Sequence, residues 1–162
     1  MTGAERGKGM RLGTTGIRLA DPAATEAFGA ALAARVRPGD VIALSGDLGM
    51  GKTSIARGLL AALGLAGEAP SPSFAIVQPY DLPEVRLPVW HVDLYRLDDP
   101  GEVDELGLED ERGDGLLLVE WPDRAGPAAW PDALALTLSV EPDGARRLTV
   151  VVPEAWGDRW PT

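Results

Sequence analysis

The sequence predicts an α/β fold in which a mixed β-sheet packs against helices and carries inserted antiparallel hairpins. Short apolar runs typical of buried strands, such as Leu116–Val119, alternate with segments whose apolar residues recur at helical spacing. Turn-like sequences at 81–84 and 141–145 each join two strand-like runs, which is typical of hairpins. The 162 residues, 45% of them apolar, suffice for one domain with a sizeable core but not for two.

The first predicted elements surround a helix with clear start signals. Residues 1–16 are expected to form a disordered extension, followed by a single domain over 17–162. A short strand is expected at Ile17–Ala20. Asp21 then has the residue type of a helix N-cap, and Pro22 fits the first helical turn. The apolar face predicted for this helix consists of Phe28, Leu32 and Val36.

The later elements alternate between strands and helices. Asp40–Ser45 has strand character, and helical spacing follows over Thr53–Leu63. The runs Phe74–Tyr80 and Val85–Asp93 are expected to pair as an antiparallel hairpin beside the sheet. The remaining predicted elements are an acidic helix opening at Asp99–Pro100, the buried strand Leu116–Val119, a proline-rich helical stretch over 122–130, and a second hairpin of Ala133–Val140 and Arg147–Val152.

Composition and charge exclude several classes of function. The net charge is −10, from 15 Lys and Arg against 25 Asp and Glu, and Arg146–Arg147 is the only basic pair. Such a surface repels phosphate backbones, so we expect no stable direct binding to nucleic acid. The absence of cysteine excludes disulfides and thiolate metal sites. The chain shows neither a secretion signal at its start nor the ~18 apolar residues of a membrane span, so we expect a cytoplasmic protein without membrane contact.

A glycine-rich segment carries the strongest functional signal. Gly46–Thr53 matches the P-loop motif G-x-x-x-x-G-K-[ST], and it lies between a predicted strand and a predicted helix. In this motif the backbone N–H groups surround a polyphosphate, while Lys52 reaches the β- and γ-phosphates and the Thr53 hydroxyl ligates Mg²⁺. The residues expected to bind the nucleotide are Gly46, Asp47, Leu48, Gly49, Met50, Gly51, Lys52, Thr53 and Ser54. The sequence therefore predicts a P-loop NTPase-like sandwich.

Two further observations concern this motif. Lys8 and Lys52 are the only lysines of the chain, and a compact ammonium on a flexible stem suits a phosphate held in a tight loop. The rival dinucleotide fingerprint fails on spacing, because its third glycine would fall on Ser54. We therefore predict that the chain binds a nucleotide.

Two acidic residues are candidates for the metal side of this site. Asp93 and Glu120 each end a hydrophobic strand-like run, where a carboxylate is costly unless it meets a cation or hydrogen bonds. The alternative for each is a strand-end acid in a surface salt bridge. His91, the only histidine, lies two residues before Asp93 and so points to the same face of the sheet. It either orients a water or a loop, or is a satisfied core or edge histidine; Trp121 is read as core packing or as a lid.

Taken together, four segments resemble one family. Gly46–Thr53, Ser71–Phe74, His91–Leu97 and Val119–Pro122 occur in the order and spacing of the TsaE family, the small bacterial P-loop ATPases of tRNA threonylcarbamoyladenosine biosynthesis. The resemblance runs from about residue 17 to about residue 152. The P-loop motif is shared by many NTPases, whereas the H-x-D-L-Y-R and E-W segments are far more specific.

The resemblance implies a weak ATPase that uses ATP and Mg²⁺. It also implies that the protein acts together with TsaB and TsaD, which modify the adenosine beside the anticodon. The protein would then contact tRNA only through this complex. By the same resemblance Lys52 binds phosphate, Thr53 and Glu120 hold Mg²⁺, Asp93 is the Walker-B-like acid, and Arg146 contacts the nucleotide. Ser71–Phe74 would be a switch-like loop, although the family usually has Thr where this chain has Ser73.

Other functions remain open at this point. A small-molecule P-loop kinase would need an acceptor pocket and an arginine-rich lid, whereas the arginines here are scattered. A nucleotide-dependent binding module, in which hydrolysis acts only as a timer, overlaps with the accessory ATPase. The guanine-reading N-K-x-D run is absent, which favours ATP over GTP.

Overall fold

The computed structural model describes residues 11–47, 51–67, 77–97, 99, 101–108, 112–126 and 129–159. Within these ranges seven strands form one sheet in the order β1-β7-β6-β2-β5-β4-β3. The strands are β1 (Arg11–Leu19), β2 (Val41–Ser45), β3 (Val77–Tyr80), β4 (Val89–Asp93), β5 (Leu116–Glu120), β6 (Leu134–Val140) and β7 (Arg146–Pro153). The α-helices whose bounds lie within these ranges are α1 (Pro22–Ala33), α2 (Lys52–Ala62) and the short α3 (Glu102–Glu105).

The sheet is mixed, as predicted. Its centre is parallel, because β2 pairs with both β5 and β6, and β5 pairs with β4. Its margins are antiparallel, through the pairs β1–β7, β6–β7 and β3–β4. The β3–β4 and β6–β7 pairings confirm both predicted hairpins; residues 74–76 of the first predicted run lie outside the described residues. The α/β fold class predicted from the sequence is therefore confirmed.

Several predicted boundaries differ from the structure. The run predicted as a strand from Val85 becomes β4 only at Val89, because a longer turn joins it to β3. The segment predicted to be disordered up to residue 16 contains the first part of β1, which begins at Arg11 and pairs with β7 as far as Leu19. Pairing with β7 supplies this strand with backbone hydrogen bonds that its Gly- and Thr-rich composition does not signal. Of the helix predicted over 122–130, the described residues contain the 3₁₀ segment Pro122–Ala125, which Gly126 follows at a φ of +98°; residues 127 and 128 lie outside the described part of the chain. The helix predicted to open at Asp99–Pro100 is the short α3, from Glu102 onward.

Helix α1 begins as its sequence predicts. The Asp21 side chain accepts a hydrogen bond of 2.8 Å from the backbone N–H of Ala24, and Pro22 is the first helical residue. Leu32 is fully buried and Phe28 packs against the core, while the buried Val36 lies just beyond the end of the helix. The predicted apolar face therefore faces the core.

Helices α1 and α2 pack closely because each carries a glycine at the contact. A Cβ atom at Gly29 would overlap the carbonyl oxygen of Ile55, and one at Gly58 would overlap that of Glu26. The two backbones therefore approach more closely than larger residues would permit. This contact holds α2, which begins at Lys52, against one face of the sheet.

The core lies on both faces of the sheet. On β5, Leu116 and Leu118 join the cluster that includes α1 and α2, while Leu117 and Val119 join the cluster on the opposite face. All five residues of β5 are buried, which confirms the prediction of a wholly buried strand. By the same alternation Glu120 belongs to the face covered by α2. No helix in the described part of the chain has both the length and the apolar character needed to cross a bilayer.

Candidate nucleotide site

The predicted site residues meet where the parallel strands end. Ser45 ends β2, Asp93 ends β4 and Glu120 ends β5. The register places Glu120 opposite Asp93 on one side and opposite Leu44 on the other. The P-loop motif, which connects β2 to α2, therefore starts beside both acids. In open α/β sheets, ligands bind at this edge of the strands.

Lys52 is buried at the start of α2. Its side-chain ammonium donates hydrogen bonds to the carbonyl oxygens of Gly46 and Asp47, the latter at 3.2 Å, and the residue is 5% exposed. Burial lowers the pKa of Lys52, while the nearby charges of Glu120, Asp93 and Asp47 oppose that shift. The lysine is thus a desolvated cation bound by its own loop and surrounded by carboxylates.

Two glycines shape the described ends of the motif. Gly46 has a φ of +136°, and a Cβ atom there would lie 2.7 Å from the carbonyl oxygen of Leu138. Gly51 has a φ of +111° and precedes α2, whose N-terminus has no side-chain cap. A side chain at either position would be strained, because both conformations are left-handed. Leu48, Gly49 and Met50 lie outside the described residues.

Glu120 is buried beside His91. The Nε2 atom of His91 and the Oε2 atom of Glu120 are 2.6 Å apart, and the two residues are 1% and 3% exposed. Three of the four buried polar or charged side chains in the described ranges, those of Lys52, His91 and Glu120, therefore belong to this edge of the sheet. For Glu120 the alternative of a surface salt bridge is wrong, because its carboxylate is buried and its hydrogen-bond partner is an equally buried histidine.

Asp93 is partly buried and differs from Glu120 in its partners. Its Oδ1 atom accepts a hydrogen bond of 2.9 Å from the backbone N–H of Tyr95. Burial raises the pKa of Asp93, and the adjacent charge of Glu120 adds to this, while the Tyr95 N–H, His91 and Lys52 act in the opposite direction. Asp93 is therefore an acid whose charged form is disfavoured by burial.

Trp121 lies over the lysine. The Lys52 ammonium is 4.1 Å from the centroid of the indole ring, and Tyr95 packs against the same ring at 4.9 Å between centroids. Trp121 has a φ of +60°, a conformation that is costly for a bulky residue. Its backbone N–H donates to the carbonyl oxygen of Leu44 at 3.1 Å, which fixes the turn after β5 to the end of β2.

A pocket of about 230 Å³ lies beside the N-terminus of α2. Gly51 and Ser54 line it together with Arg146, which lies at the start of β7 and donates to the carbonyl oxygen of Gly144 at 2.8 Å. Its other lining residues are Leu19, Ala20, Asp21, Pro22, Thr25 and Gly144. Sequence reasoning missed these residues, because they come from the end of β1, the first turns of α1 and the β6–β7 connection, and share no motif with Gly46–Thr53.

The structure thus brings together most of the predicted site. Gly46, Asp47, Lys52, Asp93 and Glu120 lie at the carboxyl edge of the parallel strands. Thr53 and Ser54 are in the first turn of α2, and Ser54 and Arg146 line the neighbouring pocket. The predicted switch loop Ser71–Phe74 lies outside the described residues.

Fold and site define an α/β protein whose P-loop motif lies at the carboxyl ends of parallel strands. A solved structure described as Bacillus subtilis YdiB superposes with a TM-score of 0.72 at 31% sequence identity and covers 86% of each chain. A sequence model of the family "Threonylcarbamoyl adenosine biosynthesis protein TsaE" matches residues 19–148. The chain belongs to the TsaE family.

Individual relatives agree with this assignment. A Bacillus subtilis protein is 35% identical over 133 residues, which are 82% of each chain. A Streptomyces coelicolor protein is 35% identical over 137 residues, or 83% of this chain and 93% of the relative. A Synechocystis protein is 44% identical over 111 residues, or 65% and 69%. All three are named tRNA threonylcarbamoyladenosine biosynthesis protein TsaE.

Proposed function

We propose that this chain is a cytoplasmic ATPase of low intrinsic activity that is required for threonylcarbamoyl modification of the adenosine beside the anticodon of tRNAs. Membership of the TsaE family supports the pathway, because the relatives carry that function in their names. One observation carries the ATPase assignment. The buried Lys52 of the P-loop motif lies among the charges of Glu120, Asp93 and Asp47 at the carboxyl edge of the parallel strands.

Lys52 would supply the positive charge for the β- and γ-phosphates. Its ammonium already binds two backbone carbonyls of the loop, so it is held at the loop rather than extended into solvent. Burial strengthens its attraction to an anion, because fewer waters compete for the charge. The described glycines, Gly46 and Gly51, allow the backbone to turn around the phosphates at both ends of the motif.

The residues present fit Mg²⁺ when it arrives with a nucleotide. The described residues include no group of three or more His, Cys, Asp or Glu that could hold a metal. Mg²⁺ is usually bound by one or two carboxylates together with waters and substrate phosphates, and it prefers oxygen ligands. The Thr53 hydroxyl and the Glu120 carboxylate would hold it here. Bound Mg²⁺ would neutralise charge on the phosphates during transfer.

Asp93 would orient the water that attacks the γ-phosphate. It lies opposite Glu120 in the β4–β5 register but has a raised pKa and a backbone hydrogen bond from Tyr95. A carboxyl group with a raised pKa is better suited to accept a proton than one that is fully solvated. We therefore assign Asp93 to the orientation of water and Glu120 to the metal.

The nucleoside would occupy the pocket next to the motif. That pocket is lined by Gly51 and Ser54 on the phosphate side and by Arg146 at the start of β7. Arg146 lines this cavity, where it would contact the bound nucleotide as predicted. Its apolar and small lining residues, among them Leu19, Ala20 and Pro22, suit the face of a purine base.

The partners proposed are TsaB and TsaD, and tRNA would be reached only through them. The net charge of −10 opposes direct binding of a phosphate backbone. Partner binding would depend on the nucleotide state through the loop Ser71–Phe74, since γ-phosphate and Mg²⁺ order such loops in other P-loop proteins.

Hydrolysis without an acceptor tests this function. The purified protein is incubated with ATP and Mg²⁺, and phosphate release is measured beside Lys52→Ala prepared in the same way. Slow release by the wild type that is lost in the variant supports an ATPase. No release from ATP alone, together with transfer of phosphate to a small molecule, would identify the alternative, a small-molecule kinase.

A further inference from the structure

A buried imidazole contacts one of the two site acids. The Nε2 atom of His91 lies 2.6 Å from the Oε2 atom of Glu120, at the end of the strands β4 and β5. The side chains are 1% and 4% exposed. Burial removes the solvation of a carboxylate, and without a hydrogen bond this cost is larger for a charged group than for a neutral polar one. His91 therefore compensates a cost that burial imposes on Glu120.

The register of the sheet explains why these two residues meet. Asp93 is the Cα partner of Glu120, and His91 is the partner of Leu118, one side-chain repeat earlier on the same face. The imidazole therefore extends along the strands to reach the carboxylate, while Asp93 lies directly opposite it. Val89 of β4 and Leu116 of β5 belong to the core cluster beneath this face, so the pair lies above well-packed apolar residues.

Among the described residues, His91 makes one side-chain hydrogen bond, the one to Glu120. With Glu120 ionised, the carboxylate only accepts hydrogen bonds, and Nε2 is then the donor of this contact. The Nδ1 atom is buried and has no partner among the described residues. The imidazole is thus not one member of a longer network there, and nothing in the described ranges other than His91 hydrogen-bonds the Glu120 side chain.

We propose that His91 is the positioning residue for Glu120. Its Nε2–H holds Oε2 and so fixes the torsions of a flexible side chain, which leaves Oε1 oriented for a cation bound with the nucleotide. The proposal rests on the metal role assigned to Glu120 under the proposed function. A group that orients a metal ligand in this way acts through that ligand, and its removal typically weakens metal binding by about 10- to 100-fold.

The test compares three variants in a Mg²⁺ titration. His91→Leu keeps an apolar side chain of similar bulk but has no donor. His91→Gln keeps an N–H close to the position of Nε2. Tyr80→Phe is the matched control, because it also alters a buried polar side chain near the sheet margin, one that does not contact Glu120. A non-hydrolysable ATP analogue is held at fixed concentration while Mg²⁺ is varied, and its affinity is also measured in EDTA.

We expect His91→Leu to raise the Mg²⁺ midpoint by about tenfold or more, and His91→Gln to stay within about threefold of the wild type. Tyr80→Phe should leave the midpoint unchanged, and in EDTA all four proteins should bind the analogue equally. A purely structural role of His91 would instead lower the melting temperature and the EDTA affinity together, without a selective effect of Mg²⁺.

Three outcomes overturn the proposal. The first is a Mg²⁺ midpoint in His91→Leu that equals that of the wild type. The second is a Mg²⁺ midpoint in folded His91→Gln as high as in His91→Leu. The third is a loss of analogue affinity in His91→Leu that is as large in EDTA as with Mg²⁺. If His91→Leu does not fold, it is replaced by His91→Asn, whose amide is too short to reach Glu120. Equal Mg²⁺ midpoints in His91→Asn and His91→Gln would then overturn the proposal. Absence of Mg²⁺-dependent binding by the wild type would instead refute the proposed function itself.

Discussion

The ammonium of Lys52 lies 4.1 Å from the centre of the Trp121 indole ring. The ring covers a cation that is already bound by the carbonyl oxygens of Gly46 and Asp47. A cation over an aromatic face gains roughly 0.5–2 kcal/mol, more when the pair is shielded from water. The turn after β5 is therefore fixed both to β2, by the Trp121 N–H, and to the motif, by its ring.

This contact predicts a measurable property of the lysine. Burial beneath this ring lowers the pKa of Lys52 below its ordinary value, so Lys52 should lose its proton at a lower pH than a solvent-exposed lysine does. Lys8 and Lys52 are the only lysines, so NMR of labelled lysine side chains follows each through a pH titration. The NMR signals that are absent from the spectrum of Lys52→Arg are assigned to Lys52. A Lys52 that titrates at its ordinary pKa in the wild type would contradict the buried geometry.

The two site acids should respond differently to loss of charge. Glu120→Gln is expected to raise the Mg²⁺ midpoint of nucleotide binding about tenfold or more, because Glu120 is assigned to the metal together with Thr53. Asp93→Asn should leave that midpoint nearly unchanged and lower the rate of hydrolysis. The Mg²⁺ midpoint of each variant is measured at a fixed concentration of an ATP analogue. Release of phosphate from ATP is measured in parallel. If Asp93→Asn shifts the midpoint and Glu120→Gln does not, the two roles are reversed.

The close approach of α1 and α2 predicts a stability effect. Gly58→Ala should destabilise the protein by about 1–3 kcal/mol despite the better helix propensity of Ala, because the new methyl group would overlap the carbonyl oxygen of Glu26. Gly113→Ala is the matched control, since a Cβ there meets nothing within 4 Å. Its effect should stay within about 0.5 kcal/mol. Urea unfolding of the wild type and both variants measures these changes. Equal urea midpoints for Gly58→Ala and Gly113→Ala would show that α1 and α2 move apart to accommodate the methyl group without loss of stability.

The acidic surface predicts how tRNA is reached. The isolated protein should show no useful affinity for bare tRNA at physiological salt, because neutralising several phosphates requires a Lys and Arg cluster. A gel shift with tRNA checks this. Sub-micromolar binding by the protein alone would contradict the indirect role.

Capture of the partner proteins should depend on the nucleotide bound to this chain. A pull-down of TsaB and TsaD with ATP, ADP or no nucleotide should give different yields. Lys52→Ala should behave in every condition like the nucleotide-free wild type. Equal yields in all three conditions would contradict a nucleotide-controlled contact.

Much of this architecture follows from local sequence signals. The Asp21 cap, the strand before Gly46 and the helix from Lys52 are set by neighbouring residues, and the sequence predicts them. Asp93 and Glu120 are also predictable, because each ends an apolar run and the ends of parallel strands share one edge.

Other features depend on contacts that no local pattern encodes. The start of β1 at Arg11 depends on pairing with β7, which is more than a hundred residues away. The sequence predicts that His91 shares a face with Asp93, but its contact with Glu120 depends on the register of two strands. The left-handed backbone of Trp121 is equally unexpected, since a bulky residue has no intrinsic preference for it.

Calorimetric titration of ATP in the presence of Mg²⁺ tests the central claim, that the P-loop motif binds this nucleotide. Wild-type protein is compared with Lys52→Ala and with Lys8→Ala, which removes the same charge outside the motif. Circular dichroism establishes that each variant is folded. We predict that Lys8→Ala binds like the wild type and that folded Lys52→Ala binds at least about thirtyfold more weakly. Equal ATP affinity in the wild type and folded Lys52→Ala would contradict the account.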